Sequence, residues 1–164
     1  MDKRVVAILV ENRYGVLNRI TGMFRRKGFN IDTLTVGETA DPKVSRITIS
    51  FCSEDDKEQI IKQLEKMPVV KMVRELDNAS SVSRELLLIK LKNDQAKRQE
   101  LMTVSEVFRT KIVDYTNDDI IIEATGPSHK IDAFIEVVKP YGILEMCRTG
   151  VSALSRGADD VLNV

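Results

Sequence analysis

The same succession of segments runs twice along these 164 residues, and that repetition limits the possible fold more than any other feature. Val5-Val6-Ala7-Ile8-Leu9-Val10 is a short apolar run rich in β-branched residues, the pattern of a buried strand. Asn12-Arg13-Tyr14-Gly15 breaks it. Val16, Leu17, Ile20, Met23 and Phe24 then recur at helical spacing, Arg25-Arg26-Lys27 sets cations at the negative end of the helix dipole, and Gly28 is placed to stop the helix. Phe29 to Gly37 reads as a second strand, and Thr39-Ala40-Asp41-Pro42 as a turn. Ile47, Ile49 and Phe51 alternate with Arg46, Thr48 and Ser50, which predicts a third strand with one face in solvent. Glu54-Asp55-Asp56 would open a second helix with Ile60, Ile61, Leu64 and Met67 inward, stopped by Pro68. Val69 to Leu76 supplies a fourth strand, and the order is βαββαβ, the ferredoxin-like arrangement.

Asp77-Asn78-Ala79-Ser80-Ser81 is polar and linker-like, and beyond it the order repeats. Leu86 to Leu91 reads as a strand, and Asp94 to Arg109 as a helix with Leu101, Val104 and Phe108 inward. Ile112 to Tyr115 and Ile120 to Ala124 read as strands joined by the turn Thr116-Asn117-Asp118-Asp119. Pro127 or Ser128 opens a helix with Ile131, Phe134, Ile135 and Val138 on its core face, and Ile143 to Leu154 ends the pattern as a strand or strand pair. The expected class is α+β, two ferredoxin-like domains in tandem, with boundaries at 1–77, a linker at 78–84, and 85–164. Units of this size bury proportionally little surface. Each sheet would have one face under helices and one in need of cover, which pairing with a second protomer would supply.

Composition removes several function classes. Lys+Arg and Asp+Glu both total 25, so no global field draws the chain onto nucleic acid or an anionic membrane. No run approaches the roughly 18 unbroken apolar residues of a membrane span, and no signal or transit peptide is visible, so the cytoplasm is the expected compartment. Cys52 and Cys147 sit in strand-like segments and are expected as buried, reduced thiols. His129, the single histidine, lies near a helix start, and no spacing of His, Cys or carboxylates suits a metal. Asp118-Asp119 reads as a turn and Asp159-Asp160 as a solvated tail. No phosphate-cradling glycine loop follows a strand, and no serine has a nucleophile-elbow context. An RNA-recognition module would want stacking rings where Ile47 and Ile49 stand. A stand-alone enzyme lacks an acid–base or nucleophilic constellation.

The chemically informative stretch is Glu11-Asn12-Arg13-Tyr14-Gly15-Val16-Leu17-Asn18-Arg19, followed by Arg26-Lys27-Gly28-Phe29-Asn30-Ile31. A strand end, a sharp loop and a helix start expose unpaired N–H groups that can hold a carboxylate. Gly15 allows close approach, and Asn12 offers an amide to an ammonium or a carboxylate. The plainer reading has Asn12 cap the helix and Gly15 make a turn. On the residues alone both readings stand.

The run Glu11-Asn12-x-x-Gly15-Val16-Leu17-x-Arg19-x-x-Gly22-x-Phe24, with Lys27-Gly28-Phe29-Asn30-Ile31-Asp32-x-Leu34-Thr35-Val36, resembles the ACT domain of acetolactate synthase (acetohydroxyacid synthase) small subunits. Asp41-Pro42-x-x-Ser45-Arg46, Phe108-Arg109-x-Lys111-Ile112-Val113-Asp114, Arg148-Thr149-Gly150-Val151 and Ser155-Arg156-Gly157 extend the resemblance over nearly the whole chain. The resemblance implies a regulatory subunit without catalysis of its own, partnered with a large catalytic subunit and paired with a second copy through its ACT domains. It implies a branched-chain effector, valine before leucine and isoleucine, at that pair's interface. Asn12, Gly15, Val16, Leu17 and Asn18 of one protomer would face Asn30 and Ile31 of the other. Asn18 departs from the small hydroxyl residue common in relatives. No cofactor is implied for this chain; thiamine diphosphate, magnesium and FAD would belong to the catalytic subunit. A stand-alone ACT module regulating another enzyme is the alternative.

Overall fold

The computed structural model describes residues 4–52, 57–77 and 79–157. The expected helix start at Glu54-Asp55-Asp56, the linker residue Asn78 and the tail pair Asp159-Asp160 lie outside the described residues. The chain separates into two compact units: one runs to Val82 and takes in the stretch from Val151 onward, and the other is Ser83–Gly150.

The first unit contains β1 (Arg4–Glu11), α1 (Val16–Lys27), β2 (Thr33–Glu38), β3 (Val44–Phe51), α2 (Lys57–Glu65) and β4 (Val70–Leu76). Its antiparallel sheet has the order β2-β3-β1-β4. The order follows from the two split β-α-β crossovers, which leave β1 and β3 central and β2 and β4 at the edges. Val6, Ile8 and Val10 of β1 and Ile47, Ile49 and Phe51 of β3 face the helices, where they meet Ile20, Met23, Phe24, Ile60 and Leu64. Replacing Ile20, fully buried in this cluster, by valine is expected to cost about 0.5–1.5 kcal/mol, read as a lower urea midpoint with unchanged slope.

α1 ends as its sequence dictates. Gly28 takes a left-handed φ of 76°, its N–H bonds Arg25 O at 3.2 Å, and the Phe29 N–H reaches Phe24 O at 3.0 Å. The Phe29 ring then meets Phe24 edge-on, with centroids 6.4 Å apart. This closure holds Phe29 and the residues after it out of the sheet, so β2 begins at Thr33 rather than at Phe29.

The third strand departs from its expected half-exposed state. Ser45, Thr48 and Ser50 are buried along with the isoleucines, and only Arg46 is intermediate. The far face of this sheet carries Val5 and Ala7, and these pack in a buried cluster with Leu76, Val151 and Ala153. The cover expected from a second protomer is therefore supplied in part by the chain's own later segment.

The second unit repeats the plan with β5 (Ser81–Lys92), α3 (Arg98–Val107), β6 (Lys111–Tyr115), β7 (Asp119–Gly126), α4 (Ser128–Val138) and β8 (Ile143–Arg148), in the order β6-β7-β5-β8. A short final strand, β9 (Ser152–Ser155), pairs with β5. The register even slips at equivalent places, between Leu9 and Val10 against β4 and between Lys90 and Leu91 against β8. Its core joins Leu87, Ile89, Leu91, Leu101, Ile120, Ile122, Ile131, Phe134 and Val138.

Three further expectations are corrected. β5 begins at Ser81, so residues 81–84 are strand rather than linker. α3 begins at Arg98, because Asp94 closes a separate turn: its carboxylate accepts the Ala96 N–H at 3.0 Å and its carbonyl the Lys97 N–H at 3.1 Å. Cys52 and Cys147, expected buried, are exposed and not joined in a disulfide, Cys52 just past the end of β3 and Cys147 in the partly exposed β8. The turn at Asp118-Asp119 forms as read, with both N–H groups donating to Thr116 Oγ1.

Candidate functional site

The apolar run of β1 ends at Glu11, and the chain must turn sharply to bring α1 back across the sheet. Glu11 and Arg13 bridge at 2.7 Å on the outside of that turn, and the Asn12 N–H is tied to Lys43 O at 2.8 Å. Gly15 makes the final step with φ 80° and ψ −4°, a left-handed conformation that favours glycine. An added Cβ there would meet nothing within 4 Å, so the glycine is required by backbone conformation and not by crowding.

Asn12 does not cap α1. Its side-chain amide donates to Pro42 O at 2.9 Å and to Glu38 Oε1 at 3.2 Å, bonds that fasten the loop to the β2–β3 turn. No side chain caps the helix at Gly15. The first α-helical bond is Arg19 N–H to Gly15 O at 3.0 Å, and the Val16 N–H leans on Arg13 O at 3.4 Å. Among the described residues the N–H groups of Leu17 and Asn18 find no acceptor, and Asn12 Oδ1 finds no donor. Unpaired donors at the positive end of a helix favour an anionic group, and a free amide oxygen on the same loop suits an ammonium.

The side chains divide by role. Val16 is buried in the core and offers only its backbone, whereas Leu17 is 41% exposed and Asn18 exposed beside it. Tyr14 stands free at the tip of the loop. Asn30 and Ile31 follow the other end of α1, roughly 18 Å away along a helix of twelve residues. Asn30 donates its amide to Asp32 Oδ1 at 3.0 Å, and Ile31 packs partly against the core. One chain thus brings Asn12, Gly15, Val16, Leu17 and Asn18 together and holds Asn30 and Ile31 apart from them. Sequence reasoning missed Glu38 and Pro42, the anchors of Asn12; they lie 26 and 30 residues away, and nothing local signals them.

Elsewhere, a shallow concavity of about 190 Å³ opens between Leu88, Lys90, Ile121, Glu145 and Cys147, with no residue of the loop in its lining. Among the described residues no cluster of His, Cys, Asp or Glu suits a metal, and no helix is long and apolar enough to cross a membrane.

Two ferredoxin-like units in tandem, the first entering its opening helix through an uncapped Asn-x-x-Gly turn, make up an α+β chain. Residues 6–71 match the family profile described as the AHAS small subunit-like ACT domain, and residues 84–157 that of the small subunit of acetolactate synthase. The chain is 46% identical over 157 residues to the acetolactate synthase small subunit of Bacillus subtilis (strain 168), covering 94% of this chain and 91% of that one. It is 43% identical over 153 residues to that of Mycolicibacterium smegmatis, covering 93% and 90%. The crystal structure of the acetolactate synthase small subunit from Thermotoga maritima superposes with a TM-score of 0.86 at 38% identity, over 96% of this chain and 99% of that one. The chain belongs to the acetolactate synthase small subunit family, the regulatory, non-catalytic subunits of that enzyme of branched-chain amino acid biosynthesis.

Proposed function

We propose that this regulatory subunit senses a free branched-chain amino acid, valine first and leucine or isoleucine next, and passes feedback inhibition to the large catalytic subunit it activates. The observation that carries the reading is the open first turn of α1, where among the described residues the Leu17 and Asn18 N–H groups have no acceptor and Asn12 Oδ1, on the same loop, has no donor. The effector carboxylate sits on those N–H groups. Its ammonium is met by Asn12, and the exposed Leu17 side chain lies against its isopropyl group. Because Asn30 and Ile31 stand at the far end of α1, a second copy of the chain brings them to the cradle, and the site is complete only in the pair. A zwitterion needs polar contacts at both ends, since an apolar pocket alone discriminates weakly among near-isosteres. Thiamine diphosphate, magnesium and flavin chemistry falls to the catalytic subunit.

Inhibition then follows from linkage: the effector binds one state of the assembled enzyme better than another, and the state of the enzyme alters effector affinity in return. Titration of the full chain with valine, leucine and isoleucine is expected to give heat with at least one. Added to the catalytic subunit, the chain raises acetolactate formation, and the same amino acid lowers it, with a coupling of about 1–3 kcal/mol. Absence of heat with all three removes the sensor assignment.

A further inference from the structure

We infer that β9 is a strap whose seating on the sensor sheet reports whether the effector site is filled; the inference rests on the sensor reading above. Val151 and Ala153 lie about seventy residues beyond the sensor's last strand, yet both are buried against Val5, Ala7 and Leu76 on the sheet face opposite the helices. Hydrogen bonds fix the strap at its two ends and its middle. The Val151 N–H donates to Thr33 Oγ1 at 3.5 Å, Arg46 Nη2 donates to Ala153 O at 2.5 Å, and the Arg156 N–H and Nε donate to Ser80 O at 2.8 Å and Ser81 O at 3.1 Å. Arg46 has no carboxylate partner among the described residues, and burial lowers its pKa, so the strap carbonyl is the acceptor that compensates its partial desolvation.

The first of these ties leads toward Asn30 and Ile31, the residues that complete the proposed cradle in a second copy. Thr33 opens β2 two residues after Ile31. Its hydroxyl lies 2.6 Å from Ser50 Oγ, so it can donate to Ser50 while accepting from Val151. Asp32, next to it, gives its N–H to Ser50 O at 2.9 Å and takes the Asn30 amide on its carboxylate at 3.0 Å. A continuous path of direct bonds therefore runs from Asn30 through Asp32 and Thr33 to Val151. Glycines with left-handed φ bracket the strap, Gly150 at 83° and Gly157 at 71°. Two small side chains and a few hydrogen bonds can open without unfolding the sheet beneath. Ordering of Asn30 to Asp32 by bound effector holds the Thr33 hydroxyl in place for the Val151 N–H. Strap seating then becomes linked to effector affinity in both directions. Thr33 is a positioning residue in this scheme.

Amide hydrogen exchange on the full chain, with and without saturating valine, tests it beside calorimetry on the same sample. Exchange across Ser152–Ser155 and at Val151 is expected to slow on the order of tenfold when valine binds. Thr33→Val keeps the heat of valine binding but loses the valine-dependent slowing, and Thr33→Ser restores it. Should Thr33→Val fail to fold, Asp32→Ala, which removes the carboxylate that takes the Asn30 amide and so cuts the path ahead of Thr33, carries the same expectation. Unchanged or faster exchange in wild-type chain that gives valine heat overturns the strap alone, as does slowing that survives both substitutions. No heat with any of the three amino acids overturns the sensor reading and the strap with it.

Discussion

Gly15→Val abolishes the calorimetric response to valine while leaving the chain folded. Gly15 sits at φ 80°, where a β-branched residue is a steric outlier, and the strain costs about 1–2 kcal/mol. Within the chain an added Cβ meets nothing within 4 Å, so the backbone strain is the main cost to the fold. In the proposed site the effector approaches the Leu17 and Asn18 N–H groups past Gly15, where a branched side chain would stand in its way. Any backbone readjustment at Gly15 also turns those donors away. Affinity is expected to fall at least roughly 100-fold, about 2.7 kcal/mol, which removes measurable heat at ordinary concentrations. Gly142→Ala is the matched control: φ there is 84°, in the other unit, and the nearest atom to an added Cβ is the flexible Lys92 side chain at 3.1 Å. It carries similar backbone strain and lowers the thermal midpoint, but keeps the valine heat. Equal retention of heat in both variants would place the effector elsewhere.

Arg148→Ala destabilises the second unit, with an expected loss of about 3–5 kcal/mol. Glu85 is a carboxylate whose side chain is 1% exposed, at the point where β5 begins to pair with β7. Arg148, on neighbouring β8, donates Nε to Glu85 Oε2 at 2.9 Å and Nη2 to the same oxygen, and Nη1 to Asp132 Oδ1 at 2.7 Å. Ser128, at the head of α4, gives its hydroxyl to Glu85 Oε1. Without the guanidinium one hydroxyl is left to satisfy a buried charge. Glu85→Gln should cost less, about 1–3 kcal/mol, because the freed arginine is partly exposed and keeps Asp132. Replacing both, Arg148→Met with Glu85→Leu, should recover most of the stability, since no charge is then stranded. Urea midpoints of the three variants check the order, and a double variant no better than Arg148→Ala would refute it.

The pH dependence of that network has a definite sign. Burial lowers the Arg148 pKa, but its bonds to Glu85 and Asp132 outweigh this and raise it overall. A cation whose pKa rises on folding adds stability that is fully present below its unfolded value and is lost only as pH climbs through the raised one. For an arginine that window is strongly alkaline, so the contribution of Arg148 is constant across neutral pH.

Much of the fold was legible because each segment states its own period. The unbroken apolar run at Val5–Val10 could only be a strand buried on both faces, and the Ile20-Met23-Phe24 stripe ended by Gly28 could only be a helix closing there. The loop at Asn12 to Gly15 was legible as a break. Its chemistry was ambiguous, since an asparagine that caps a helix and one that leaves it uncapped look the same in a string of letters. The structure separates the two: the Asn12 amide goes to Glu38 and Pro42, and the helix opens uncapped.

The misreading of β3 has a physical cause. Alternation along β3 correctly sorts Ile47 and Ile49 from Thr48 and Ser50, but periodicity reports sides and not what lies across from them. Hydroxyls that satisfy one another, as Thr33 and Ser50 do, read like hydroxyls in water. By itself the sequence determined the succession of elements, the inward stripe of each helix and the position of the glycine that exposes α1's first turn, because these depend on neighbours within a few residues. The tertiary structure alone decided that Val151 covers Val5, that Arg148 holds Glu85, and that Asn12 is pinned rather than capping, because each joins residues whose separation along the chain carries no local trace of their contact.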